Sequence, residues 1–198
     1  MYPQSIKDLI ESFKLLPGIG RKTAERLAFS VLDLEDEQID FFSDSISNIK
    51  TNVRRCRICN CITDKDVCDI CHDNNRNFDM LCVVDDSKNV FLFEKLAIYR
   101  GTYHVLDGLI SPLDGINPED IGIHKLIERI KSGNYEEIIF AFKPSIEGET
   151  TALYIKRILS GIDIRVSKLA SGIPIGADME YLDGLTLEQA LNGRKIIE

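Results

Sequence analysis

The sequence predicts a mixed α/β chain with four parts: an N-terminal helical unit, a small four-cysteine metal module, a parallel α/β sheet domain and a short C-terminal tail. Three observations predict it. Apolar residues recur at helical spacing through the first third of the chain. Two Cys-x-x-Cys pairs, Cys56–Cys59 and Cys68–Cys71, follow. From Met80 onward short apolar runs alternate with helix-like stretches, the pattern of a parallel sheet. The expected boundaries are 1–55, 56–79, 80–170 and 171–198.

Ile6, Leu9, Ile10 and Phe13 form the stripe of an amphipathic helix, and Leu16-Pro17-Gly18-Ile19-Gly20 breaks it. Ala24, Leu27, Ala28 and Val31 make a second stripe; Ile39, Phe42, Ile46, Ile49 and Val53 make a third, looser one. After the cysteines, residues 72–79 read as a polar turn or linker. Met80–Val84, Tyr103–Leu106, Glu137–Phe142 and Ile162–Val166 are the expected strands. Val90–Tyr99, Ile123–Lys131 and Gly148–Ser160 are the expected helices, with a Gly- and Pro-bearing loop over Gly108–Gly122. Thr186-Leu187-Glu188-Gln189 is read as a capping box opening a terminal helix.

The chain has 198 residues, 44% hydrophobic and 28% charged, enough to build a core without disulfide staples. No apolar run approaches a membrane span, and the N-terminus lacks a secretory signal's basic start and apolar centre, so a soluble cytoplasmic protein is expected. A net charge of −8 argues against coating an anionic polymer with the whole surface. That charge lies entirely in residues 61–198, while residues 1–60 are neutral, with nine basic and nine acidic side chains. A nucleic-acid face is therefore expected in the first third.

Gly18 and Gly20 permit a tight turn and close backbone approach, and the turn feeds a helix N-terminus that favours an anion. Arg21, Lys22 and Arg26 follow, with Lys22 and Arg26 four residues apart on one face. Such an arrangement suits a phosphodiester backbone gripped without reading bases. The alternative is an ordinary helical turn with a solvated basic face. The spacing of a P-loop is absent. Lys50, Arg54, Arg55 and Arg57 form a second basic run.

Cys56, Cys59, Cys68 and Cys71 can deliver four thiolates to one tetrahedral ion. One structural zinc per chain is expected, because four protein ligands leave no open position; the alternative is an iron–sulfur cluster or a redox pair. The metal would supply much of the folding free energy of so short a segment. Cys61 and His72 fall outside the ligand register, and Cys82, inside an apolar strand, reads as a core thiol.

Met80–Val84 runs into Asp85-Asp86, and Glu137–Phe142 into Lys143-Pro144-Ser145-Ile146-Glu147-Gly148-Glu149. Carboxylates at strand ends in a parallel sheet could hold Mg²⁺. This domain resembles the Toprim fold of primases and topoisomerases. In that family a glutamate follows the first strand, and a later strand carries Asp-Pro-Asp before Glu-Gly-Glu. Here Asp85 stands at the glutamate position, and Lys143 and Ser145 replace the two aspartates; Pro144, Glu147, Gly148 and Glu149 match. Two-metal phosphodiester chemistry needs its carboxylates, so the expectation is a Toprim scaffold without catalysis, with an ammonium near the metal's place. Asp85, Glu147 and Glu149 would then be residual acids or a partner-docking surface. A dipole role at the helix N-terminus is the plainer reading of the two glutamates.

Taken whole, the chain is similar to the bacterial RecR family of recombination mediators, with helix-hairpin-helix, four-cysteine zinc module, Toprim domain and tail in that order. Tyr103–Leu106, Ser111–Ile116 and Ala170–Gly176 resemble the family's signature stretches; Asn117 departs where glycine is common. Ile173–Tyr181 matches a tail sometimes described as Walker B-like, but no Walker A accompanies it and ATP hydrolysis is not expected. The resemblance implies a non-catalytic DNA-binding protein in recombinational repair. It implies partnership with RecO, and in many species RecF, in loading RecA onto single-stranded DNA covered by single-strand-binding protein. It also implies a homotetrameric ring, association with the nucleoid through DNA, and hairpin contacts from Gly18, Gly20, Arg21, Lys22 and Arg26. The competing readings are a Toprim-type nuclease or primase-like enzyme with a rearranged site on Asp85, Asp86, Glu147 and Glu149, and a protein scaffold that touches no DNA.

Overall fold

Small residues let the first two helices pack closely. In the computed structural model, which describes residues 2–194 and 196, Ile6 and Ile10 of α1 (Gln4–Lys14) bury against Ala24 and Ala28 of α2 (Arg21–Val31). The two alanines have no exposed surface. Leu9, Phe13 and Ile19 pack around them, as the stripes predict. The third stripe lies on α3 (Asp36–Asn52), whose start is fixed by Glu35 N–H donating to Gln38 Oε1 at 3.0 Å. None of its 17 residues is buried, so its apolar side is unpartnered among the described residues. These helices form one unit, ending at Val53; the rest of the chain forms a second.

The second unit opens with β1 (Arg54–Arg55) antiparallel to β2 (Ile62–Thr63), then a single turn of helix, α4 (Asp69–His72). Next come β3 (Asn77–Val84), α5 (Ser87–Leu96), β4 (Gly101–Val105), α6 (Ile123–Ser132), β5 (Glu137–Ala141), α7 (Ile146–Ile158), β6 (Arg165–Lys168) and α8 (Gly184–Asn192). The four longer strands form a parallel sheet in the order β4-β3-β5-β6. Both faces are covered, as such a sheet requires. Leu81, Val83, Ile138 and Phe140 face Leu126, Ile130 and Ile155 of α6 and α7. Cys82, Val84, Tyr103 and Val105 face Val90 of α5 and the metal module.

Several boundaries differ from the sequence expectation, each for a local reason. The segment read as a polar linker already contributes to β3, which starts at Asn77 and bulges between Asn77 and Leu81. Arg76 within it is only 6% exposed in its side chain: it pairs with Glu94 of α5 and donates to Gly101 O. Helix α5 begins three residues early because Asp86 accepts from Lys88 N–H at 2.8 Å, and ends at left-handed Ala97. Helix α7 begins at Ile146, capped by Ser145 Oγ, and the last strand lies at 165–168. Thr186 does not open the terminal helix. Asp183 is the cap, accepting from Thr186 N–H at 2.9 Å and its hydroxyl at 2.7 Å. Residues 195, 197 and 198 of the expected tail lie outside the described residues. Among the described residues no helix is long and apolar enough to cross a membrane.

Candidate metal centre, hairpin and strand-end site

The metal module is built by short-range backbone bonds. Asn60 takes a left-handed conformation (φ 61°), which asparagine tolerates, so that its N–H reaches Cys56 O at 2.9 Å and folds Cys56–Cys59 into a knuckle. Cys56 N–H closes on Cys61 O at 2.8 Å. The knuckle also covers the free edge of β4. Val105 N–H donates to Cys59 O at 2.8 Å and Asn60 Nδ2 donates to Val105 O at 2.9 Å.

The four predicted sulfurs converge. Cys56, Cys59, Cys68 and Cys71 place their Sγ atoms within 4.8 Å of one another, with the Cys59–Cys68 pair at 3.5 Å. Tetrahedral zinc with Zn–S near 2.3 Å needs sulfurs about 3.8 Å apart, and the cage fits. Cys68 N–H and Cys71 N–H donate to Cys56 Sγ (3.3 Å) and Cys68 Sγ (3.4 Å), bonds that stabilise thiolates. Hydrogen bonding to Cys68, then to Cys71, and burial push the Cys59 thiol up, while the Cys59–Cys68 bond pulls Cys68 down. Four thiolates this close repel one another, and a divalent cation offsets that repulsion. Zinc has that role here, and with four sulfurs already in place the site is structural. Cys61 is buried beside the cage without belonging to it. Cys82 is a core thiol, pushed up to about 12 by burial.

At the hairpin, Gly18 takes φ +83° and Ile19 N–H turns back to Leu16 O at 3.2 Å. Gly20 is the cap of α2 and offers no side chain, so the helix N-terminus is uncovered. A side-chain carbon built at either glycine would meet nothing within 4 Å, so both backbones lie open to a ligand. Lys22 and Arg26 are exposed and have no carboxylate partner among the described residues. Arg21 differs: its Nε donates to Glu25 at 3.0 Å, and that carboxylate raises its pKa.

At the strand ends the predicted acids do not assemble. Among the described residues the four cysteines are the only metal-ligating set whose donor atoms converge. Asp85 accepts from Asn89 Nδ2 at 3.1 Å, and Asp86 is the cap of α5. The Ser145 hydroxyl holds the half-buried Glu147 carboxyl below its usual range. Glu149 is engaged by Lys168 Nζ at 2.6 Å, from the end of β6. By sequence register the ammonium at this place is Lys143; the one that reaches an acid is Lys168, whose position follows from where β6 ends. Gly148 between the glutamates has a separate cause. A side chain there would come within 2.2 Å of Lys143 O, so the first turn of α7 packs directly on the strand-end backbone.

Comparison with known proteins covers the same parts in the same order. Residues 6–50 match the family model of the RecR helix-hairpin-helix, 53–73 that of the RecR four-cysteine zinc finger domain, 79–170 that of the Toprim domain and 172–195 that of the RecR C-terminal region. Proteins named "Recombination protein RecR" from Staphylococcus aureus strains Mu3, Mu50 and JH9 are 48% identical over 193 residues, 98% of this chain and 98% of theirs.

Proposed function

The chain belongs to the RecR family of recombination proteins, and from that premise we propose that it is a non-catalytic DNA-binding mediator that closes around DNA as a ring. The observation that carries the reading is a pairing of sites. Among the described residues the hairpin presents two cations with no carboxylate partner beside an open helix N-terminus, while the acids at the strand ends, where a Toprim enzyme would gather metal ligands, form no converging set and Glu149 is bound to Lys168. Phosphate contacts of the hairpin type give sequence-independent, salt-sensitive binding. Gly18 and Gly20 supply backbone, Lys22 and Arg26 the charge, and Arg21 a weaker share.

Self-association is supported by α3, where Phe42, Ile46 and Ile49 of one stripe are 42%, 60% and 56% exposed. A row of this kind calls for a partner surface, and a second copy offers the same row. Four copies in a ring would multiply weak contacts into avidity. The mediator works in the cytoplasm and nucleoid with RecO, and with RecF where present, to place RecA on single-stranded DNA coated by single-strand-binding protein. Asp85, Glu147 and Glu149 serve as acidic docking positions for those proteins.

The ring is tested by binding the protein to a closed circular DNA and to the same DNA linearised, then washing at raised salt. Retention on the circle with loss from the linear form is expected. Equal retention on both contradicts encirclement.

A further inference from the structure

The sheet alternates its side chains, so while Tyr103 and Val105 of β4 face α5 and the metal module, His104 between them turns to the face that carries α6. It is 3% exposed, and its Nδ1 is buried without a hydrogen-bond partner. A buried polar atom left unpaired is costly, which makes it a feature to explain. His104 lines a concavity of about 600 Å³ together with Arg55, Arg57, Lys125, Glu128 and Arg129. Four cations thus meet one carboxylate, in a unit where acidic side chains outnumber basic ones by 23 to 18.

Two of the cations are partly satisfied: Arg57 pairs with Asp66 at 2.9 Å and Arg55 lies 3.7 Å from Asp107. The other two are not. Lys125 and Arg129 sit one turn apart on α6 and have no carboxylate partner among the described residues. Arg129 is held in place by donating from Nε to the Tyr135 hydroxyl at 2.9 Å and from Nη1 to Tyr103 O at 2.5 Å. Its guanidinium is therefore positioned before any ligand arrives. Burial, with Arg129 and Lys125 nearby, pushes the His104 imidazole down to about 3, so it is neutral and offers one N–H. A held guanidinium and a nearby ammonium, neither with a carboxylate partner among the described residues, beside a buried imidazole nitrogen left unpaired there, are complementary to a small oxyanion.

We infer that this concavity, between the metal module and α6, is a phosphate-binding site built from other residues than the hairpin, with Lys125 and Arg129 supplying charge and His104 the floor. The phosphate can come free in solution or as a phosphodiester of single-stranded DNA, and the two sources are separable. Inorganic phosphate is titrated into the full-length zinc-loaded protein at constant ionic strength, with chloride as control, while the His104 ring resonances are followed by NMR. His72 and His124 serve as internal references. A saturable shift at His104 is expected, weakened about tenfold or more by Lys125→Glu, an exposed position, since reversing a nearby charge is worth more than that ratio. Lys125→Ala should weaken it less, and Lys22→Glu with Arg26→Glu should leave it unchanged. Oligothymidylate is then added to that hairpin double variant: a His104 shift assigns the site to phosphodiesters, and a shift with inorganic phosphate alone assigns it to the free ion. The inference is overturned if neither probe moves His104, or if the response is the same in folded Lys125→Glu protein.

Discussion

Replacing Lys22 and Arg26 together by alanine removes the two hairpin cations that no carboxylate of the described residues engages. Both are exposed on α2, and alanine is the best helix former, so the fold should tolerate the change. Each cation that neutralises one phosphate of single-stranded DNA contributes about 0.7 to the slope of log Kobs against log salt, so the pair should contribute about 1.4 per hairpin. Arg21 is a built-in comparison. It stands at the same turn but is shared with Glu25 at 3.0 Å, so Arg21→Ala should change the slope by less than one full contact. The assay is fluorescence anisotropy of a labelled oligothymidylate across a chloride series. An unchanged slope in the double variant, or a larger loss from Arg21→Ala than from the pair, would refute the reasoning.

Three further outcomes rest on the geometry. Cys56→Ser should lower bound zinc from about one per chain towards none and reduce thermal stability, measured by metal analysis and melting; metal loss with an unchanged melt contradicts the folding role. Gly148→Ala drives a methyl into Lys143 O and should cost about 1–3 kcal/mol in denaturant melts, whereas the same change at open Gly161 should cost far less. Burial alone would raise the Glu94 carboxyl, but the Arg76 guanidinium and the Tyr103 hydroxyl, bonded at 2.8 Å, outweigh it and hold the group low. A depressed carboxyl contributes stability that is complete above its unfolded value near 4.3 and lost as pH falls through the folded value, so acid melts should steepen below about pH 4.3 and flatten in Glu94→Gln.

The parts legible in sequence were those with short-range causes. The zinc ligands follow from spacing alone, because two knuckles within one short segment have few other ways to satisfy four thiols. The stripe Ile6, Leu9, Ile10, Phe13 gave the first helix and its buried side, since an amphipathic period fixes both. Strand ends were less legible: Arg76 sits in a stretch whose composition reads as linker, and only its long-range pairing with Glu94 explains why it is buried. Lys168 was missed for the same reason. Its contact with Glu149 depends on how β5 and β6 align, and nothing local in either segment announces it. His104 looked like one residue of an apolar strand, and its isolation appears only once α6 brings Lys125 and Arg129 over it.

At the centre stand the strand ends, whose acids form no converging metal-ligating set among the described residues. The direct test is to incubate the zinc-loaded protein with labelled single-stranded and supercoiled DNA in the presence of Mg²⁺ or Mn²⁺ and to look for nicking, relaxation or primer synthesis. The DNA should be recovered unchanged with either ion. Metal-dependent turnover that disappears in Glu147→Ala would contradict the proposed non-catalytic role.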